Sequence, residues 1–426
     1  MSFLPFKQVV QASVLSKTWC QAWLTFPDLV LDEALFPHDW YDYCRDQKRF
    51  GTLLTYWQII LDRRGEKKVS VRKFTFRMIF LNDLDLADRC VRHAIENNAR
   101  EMIFEVSPHT CSPMYYSFPL EALSSNSLRA LTLIACKLDS KLFPSNVNLS
   151  AVSYLRLWCV LADEQALHNL LAGCPLIQDL EISSCRGIKS LKLLDHRKLS
   201  NVKLEYNEGL AHVDIQKAFS LKSISIVRPG LHQTDIGITS CKNLSQLNVR
   251  GGSFTDEQLC NLISELPLLE DLCISSWNNI QNLKISSSRI KFLTLRACEN
   301  FAEVVFETPN LSVFRYSGDI FSWTTCSLSL SEASLHFFSK NIDSQWYVKY
   351  IELLARFHQF SKFLRLHSCD CEVRLFSQKS FISNSLSSDI FFPFWLVLEC
   401  ACSCRIEANP TSPTFWCQAF GFYNKL

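Results

Sequence analysis

Glycine is scarce in this sequence, 11 residues in 426, and no Gly-rich phosphate loop or dinucleotide-binding turn occurs in it. The ten histidines are scattered; none has the H-E-x-x-H spacing of a zinc hydrolase, and no G-x-S-x-G elbow marks a nucleophilic serine. Nineteen cysteines are present but no two stand as C-x-x-C, so the spacing that builds a zinc site is missing. They are spread over a long chain without a secretory leader, which implies reduced thiols and a soluble protein of the cytoplasm or nucleus. Excess charge is also lacking: 44 basic side chains nearly cancel 42 acidic ones, so no global field draws the chain to nucleic acid or to an acidic membrane. No apolar run reaches the ~18 residues of a membrane span. The longest, Ile390 to Leu398, is interrupted by Pro393. Together these absences remove the signatures of hydrolases, nucleotide enzymes and metal sites. No catalytic residue, metal or cofactor is expected, and partners must be recognised by shape.

What the chain does have is a repeat. The pattern L-x-x-L-x-L recurs as LRALTL at Leu128, VSYLRL at Val152, IQDLEI at Ile177, LSNVKL at Leu199, LKSISI at Leu221, LSQLNV at Leu244, LEDLCI at Leu269, IKFLTL at Ile290 and LSVFRY at Leu311. Steps between copies run from 21 to 25 residues, inside the range of leucine-rich repeats. The second and third apolar positions are two apart, so they share one face of a short strand while the residue between them points to the other. One unit cannot bury that face alone, and stacking parallel strands creates a continuous core. The expected fold is an α/β solenoid, an irregular leucine-rich-repeat arc with parallel strands on its concave face. Weaker copies extend it to VRKFTF at Val71, to the strand around Ile103, and to FLRL at Phe363, with Leu364 and Leu366 as its core pair. Cys136, Cys185, Cys298 and Cys369 stand where the repeat signature has Asn or Cys, and are read as small buried groups. The returns opening at Asp163 and Asp256 have helical spacing and a terminating Pro; the others are long enough only for a turn or extended chain.

Residues between the core pairs line the inner surface. The central row reads Thr132, Arg156, Glu181, Lys203, Ser225, Asn248, Cys273, Thr294 and Arg315, and flanking rows add Tyr154, Trp158, Asp179, Glu205, Gln246, Arg250, Asp271, Arg296 and Tyr316. Such a polar, charge-mixed, aromatic-studded face suits a protein partner. Tyr154, Arg156, Trp158, Glu181, Lys203, Asn248, Arg250, Arg296 and Arg315 are its candidate contacts. Acids alternate with the arginines, which speaks against a phosphate cofactor on this face.

The segment before the repeats differs in kind. KQVVQASVL fits a short helix after Pro5, and Ser16 can cap a second running through Trp19 to Trp23. SFLP, SVLSK followed by Trp19, then Trp23 and FPDLVLDE (Phe26 to Glu33) resemble the F-box of the large plant family that joins an F-box to leucine-rich repeats. An F-box of that family has a further turn and helix upstream, so about half of the motif is expected here, as a short N-terminal helical remnant. Thr18 stands where a basic residue is common. The resemblance implies that the F-box docks on a Skp-type adaptor carried by a cullin with a RING subunit, while the repeats hold the protein to be ubiquitinated. On that reading Leu4, Pro5, Val10, Val14, Leu15, Ser16 and Trp19 form the adaptor-binding face. The alternative is a helical cap over the open end of the solenoid, with no ligase connection.

The expected organisation is a partial F-box over 1–36, a helical linker over 37–70, the solenoid over 71–376 and an atypical Cys- and aromatic-rich tail over 377–426. The basic run from Arg63 to Lys73 is read as a solvated connector rather than a nuclear-import patch. In the tail, CACSC at Cys400 to Cys404 is spaced too tightly to chelate one zinc. The tail is read as a cover for the last repeat or an alternative end of the transcript.

Overall fold

The computed structural model describes residues 15–35, 47–66, 69–78, 84–106, 115–119, 124–140, 147–227, 235–238, 240–251, 255–276, 281–298, 303–320, 322–325, 330–337, 361–368 and 371–376, with a few single positions and short pieces elsewhere. The chain divides into two compact units, residues 1–221 with 234–241, and residues 222–233 with 242–426.

In the first unit the strands Asp28–Asp32, Lys73–Met78, Glu101–Val106, Ala130–Ile134, Tyr154–Trp158, Asp179–Ser183 and Asn201–Glu205 form one parallel ladder in unbroken register. Leu29, Phe74, Met102, Leu131, Leu155, Leu180 and Val202 stand side by side along it, each at most 2% exposed. The first strand, DLVLD, is therefore part of the solenoid, whereas the sequence pattern assigns it to the F-box remnant and begins the repeats at residue 71. Its two leucines obey the same two-residue alternation, and the bidentate pair from Arg72 to Asp28, at 2.8 and 2.6 Å, ties it to the next turn. In the second unit Ser223–Val227, Gln246–Arg250, Asp271–Ser275, Phe292–Cys298, Val313–Gly318, Leu330–Phe337 and Ser361–Ser368 repeat the arrangement, aligning Ile224, Leu247, Leu272, Leu293, Phe314, Ala333 and Leu364. The strand Leu330–Phe337 is a turn that the leucine pattern does not show, because Ala333 occupies the first core position. Parallel pairing ends where Cys371–Phe376 folds back antiparallel on Ser361–Ser368.

Return segments vary as their lengths dictate. Glu164–Ala172 and Asp256–Glu265 are helices. Asp163 caps the first, accepting from the Ala166 amide, and Thr255 with Gln258 forms a reciprocal capping box on the second. Shorter returns are extended and pair into three-stranded parallel sheets: Tyr116–Ser117 with Cys136–Leu138 and Leu161–Ala162, Ser190–Leu194 with His212–Gln216 and Asp235–Gly237, and Asn282–Ser286 with Glu303–Glu307 and Ser322–Thr325.

A shared corner follows the main strands. Ala135, Cys159, Ser184, Tyr206, Ser276 and Ala297 have φ between 47° and 60°, the left-handed region, and Gly251 takes the same place at 71°. The amides of Ala135, Cys159 and Ser184 donate to the last carbonyl of the next strand, those of Trp158, Ser183 and Glu205. One residue further on, Cys136 and Cys185 are fully buried. The Cys185 Sγ lies 3.5 Å from the Leu157 carbonyl, and Asn207 at the equivalent place donates to the Ile182 carbonyl at 2.7 Å. These side chains satisfy carbonyls that the turn would otherwise leave unpaired. The side chain of Cys298 and all of Cys369 lie outside the described residues, as do Cys400 to Cys404.

Helices close the start of the first unit. Designated in chain order, α1 spans Lys17–Leu24, α2 Gln47–Glu66, α3 Leu84–Glu96, α4 Glu164–Ala172 and α5 Asp256–Glu265. Trp57 of α2 is buried edge-on against Phe76 at 5.7 Å, and Phe76 stacks on Phe104 at 5.0 Å. This aromatic column makes α2 part of the core, where the sequence leads one to expect a helical linker. Arg64 near its end is 1% exposed and donates to the carbonyls of Leu24 and Phe26, each at 2.9 Å. These are carbonyls at the end of α1 and just past it, which the helix itself cannot pair. Within the basic run from Arg63 to Lys73, Arg63, Gly65, Glu66, Ser70 and Arg72 are exposed, as a solvated connector requires, but Arg64 is a buried clamp and Lys73 opens a strand; Lys67 and Lys68 lie outside the described residues.

Candidate functional site

Two exposed surfaces carry the residues singled out from the sequence. On α1 the Ser16 side chain accepts from the Trp19 amide at 3.2 Å, as a cap should. The segment then splits its large apolar side chains: Trp23 and Leu24 of the helix are buried, whereas Trp19 is 42% exposed and Leu15, just before the cap, is 74% exposed. Trp19 and Trp23 therefore do not act as one surface, although they are four residues apart. Leu4, Pro5, Val10 and Val14, and with them most of the proposed first helix, lie outside the described residues.

The second surface is the solvent face of the main ladders. In the first unit Thr132, Arg156, Glu181 and Lys203 stand in one row, as their spacing requires. Glu181 is the centre of this patch. Arg156 Nε lies 3.4 Å and Lys203 Nζ 3.5 Å from its carboxylate, both ion-pair contacts, and the Tyr154 hydroxyl donates to it at 3.4 Å. Lys203 also reaches Glu205 at 3.1 Å; that hydrogen bond, more than any other influence, raises its pKa. Burial raises the pKa of Tyr154, with the Glu181 charge adding to it. The Arg156 guanidinium sits 5.4 Å over the ring of Trp158, a cation–π stack that leaves the indole 41% exposed. One side of the patch is thus a rigid aromatic and cationic platform, and the other a neutralised ion-pair network.

In the second unit Ser225, Asn248, Cys273, Thr294 and Arg315 form the corresponding row. Asn248 donates to Ser225 at 3.1 Å, and Glu332 draws Arg315 and Arg365 to 3.9 and 3.5 Å. Arg250, Ser275, Arg296, Ser317 and His336 make up one flank, a row without a carboxylate; the expected alternation of acids with these arginines does not hold there. Asp271 and Glu332 lie on the opposite flank. Tyr316, expected on this surface, is instead in the core: it aligns with Leu295 and Leu335, is 2% exposed, and its hydroxyl donates to the Asp319 carbonyl at 2.5 Å.

Burial pushes the Cys174 and Cys185 thiols up to about 12, and Cys136 higher still, so none supplies a thiolate near neutral pH. Among the described residues there is no group of three His, Cys, Asp or Glu side chains able to hold a metal, and no helix long and apolar enough to cross a membrane.

Residues 87–249 match the model of the leucine-rich repeats of the FBD-associated F-box protein At5g56370, and residues 198–368 that of the leucine-rich-repeat domain of At1g61320/AtMIF1. These matched stretches overlap and take in most of both ladders. The repeats are similar to those of plant F-box/leucine-rich-repeat proteins. Similar proteins from Arabidopsis thaliana include the F-box/FBD/LRR-repeat protein At3g52680, 28% identical over 43% of this chain and 37% of its own length. The F-box/FBD/LRR-repeat protein At4g00160 is 30% identical over 46% of this chain and 42% of its own. The putative F-box/LRR-repeat protein At3g18150 is 20% identical over 74% and 64%. The matched part of the chain thus spans from about a third to about two thirds of such relatives.

Proposed function

We propose that this chain is the substrate-recruiting subunit of a cullin-RING ubiquitin ligase, acting in the cytoplasm or nucleus. On this proposal α1 docks on a Skp-type adaptor, and through it on the cullin, while the solvent face of the ladders holds the target protein. The supporting observation is the split on α1 in a chain whose repeats are similar to those of F-box proteins. Trp23, Leu24 and the Arg64 clamp fix the helix to the solenoid, and Trp19 and Leu15 are left facing outward. An exposed tryptophan on a short helix anchored to the fold is the kind of side chain a hot-spot contact uses. The chain itself contributes proximity and orientation, and the cysteine chemistry of ubiquitin transfer belongs to other subunits. On the ladders, Arg156 and Trp158 are the proposed anchors, with Tyr154, Glu181 and Lys203 setting the charge pattern around them. In the second unit, taken by itself, Asn248, Arg250, Arg296 and Arg315 are the proposed contacts.

The burial of Trp23 and Leu24 favours a second reading, an interaction module in which α1 only caps the core. Capture of purified Skp-type adaptor by the full chain separates the two. Micromolar binding that Trp19→Ala weakens supports the ligase subunit; no binding at micromolar adaptor leaves the module.

A further inference from the structure

The most unusual side chain in the first unit is not on the strand face. Many of the main strands are preceded by a tight turn in which the amide of the first repeat leucine, or its substitute, donates to the carbonyl three residues earlier. Val152 pairs so with Leu149, Ile177 with Cys174, Leu199 with His196, Leu221 with Ala218, Leu269 with Leu266 and Leu311 with Thr308. These acceptor positions are interior, all at most 1% exposed except His196 at 8%. Five of the six carry small or apolar groups with no more than one hydroxyl. The sixth is an imidazole.

Among the described residues the His196 ring makes no hydrogen bond, and it lines a cavity of about 160 Å³. The other walls are His168, Leu171 and Ala172 of α4, Pro175, and Lys192, Leu194 and Asp195. Three of these groups are basic or become so on protonation, and they come from three places: α4, the strand Ser190–Leu194, and the turn after it. The one carboxylate is engaged elsewhere, since Asp195 accepts from Arg197 at 3.0 Å. Asp214, the neighbour of Lys192 in register, accepts from Gln216 at 2.8 Å. The cavity has room for a few heavy atoms, and its lining combines Leu171, Ala172, Pro175 and Leu194 with the donors Lys192, His168 and His196 and the one carboxylate.

We infer that this cavity is a binding site for a small oxyanion, a phosphate or carboxylate group, held by Lys192, His168 and His196. Burial, with the charge of His168 adding to it, holds the free His196 neutral near pH 7, while Asp195 opposes this. A bound oxyanion favours the imidazolium, so binding takes up a proton and tightens as pH falls. The site is separate from the adaptor and target surfaces and does not depend on the function proposed for them.

The test is a titration of the full chain with sodium phosphate and, separately, sodium acetate, at constant ionic strength set with chloride. Imidazole Cε1–H signals are followed by NMR between pH 5 and 8, with His196 assigned by its loss in His196→Ala, a substitution for which Ala218 at the equivalent turn is the precedent. Phosphate, alone or together with acetate, is expected to raise the His196 pKa by about one unit, a tenfold preference for the charged ring. Response to both anions marks a general oxyanion site, and response to phosphate alone a phosphate-selective one. Lys192→Gln, at an exposed strand position and so independent of any folding defect in the His196 variant, is expected to weaken phosphate binding about tenfold. No change in the His196 titration with either anion, or undiminished binding in Lys192→Gln, overturns the site.

Discussion

His93 shows how a single interior group sets a pH limit. It lies on α3 at 7% exposure, and burial, with the charges of Arg64 and Arg89 adding to it, lowers its pKa to about 4. The unfolded chain protonates it near 6.5, so the unfolded state binds more protons between these values and stability rises with pH there. The contribution is complete above about pH 6.5 and is lost as pH falls toward 4, amounting to ~3 kcal/mol at most. His93→Gln is expected to flatten the decline in denaturant midpoint between pH 6.5 and 4.5; an unchanged slope would show that other groups cause it. Arg64 makes a related point. Removing a buried charge-assisted donor strands two carbonyls, so Arg64→Met should cost about 2–4 kcal/mol in urea unfolding and speed hydrogen exchange in the last turn of α1. Neither role can be read from the local sequence. RRGEKK announces charge, and only the path of α2 under α1 reveals that one of its arginines is interior.

At the scale of elements, much is legible because period two and the 21–25-residue step each leave a mark in the chain. The Leu131, Leu155 and Leu180 column, and that of Leu247, Leu272 and Leu293, follow directly from spacing, as do the helices opening at Asp163 and Asp256. The failures have a common cause: the pattern is blind where a core position is not aliphatic or where a strand sits far from its neighbours in sequence. Ala333 hides one strand. Tyr316, with its hydroxyl, reads as a surface residue, and Asp28–Asp32 is hidden because the next copy of the pattern comes only after an intervening helix. Capping is a direct test of the elements. Thr255→Ala removes one half of the α5 box and should lower stability by about 1 kcal/mol, whereas Thr255→Ser should be nearly silent in the same melt. The corners give another: Ser184→Val, forced into left-handed φ, is expected to cost about 1–2 kcal/mol and Ser184→Gly to cost little.

Across the whole molecule, the candidate surfaces divide between what alternation dictates and what it cannot. That Arg156, Glu181 and Lys203 share a row follows from spacing. That they neutralise one another, leaving Trp158 with the Arg156 stack as the prominent feature, depends on side-chain geometry. Trp158→Ala is accordingly expected to reduce target capture by about tenfold or more while leaving the unfolding midpoint unchanged, because the indole is half outside the core. Lys203→Ala, which deletes one of several screened charges, should change capture less than about threefold at physiological salt. Affinity purification with quantitative mass spectrometry reads both; equal losses from the two variants would place the binding energy elsewhere on the ladders.

The left-handed corners after the strands have one more effect. A solenoid that turned only on glycine would carry bare backbone along that rim. Here alanine, cysteine, serine and tyrosine serve instead, and Tyr206 is 48% exposed at its corner. Such a bend can therefore hold a side chain out to solvent beside the strands, at the strain that left-handed φ imposes on any residue but glycine.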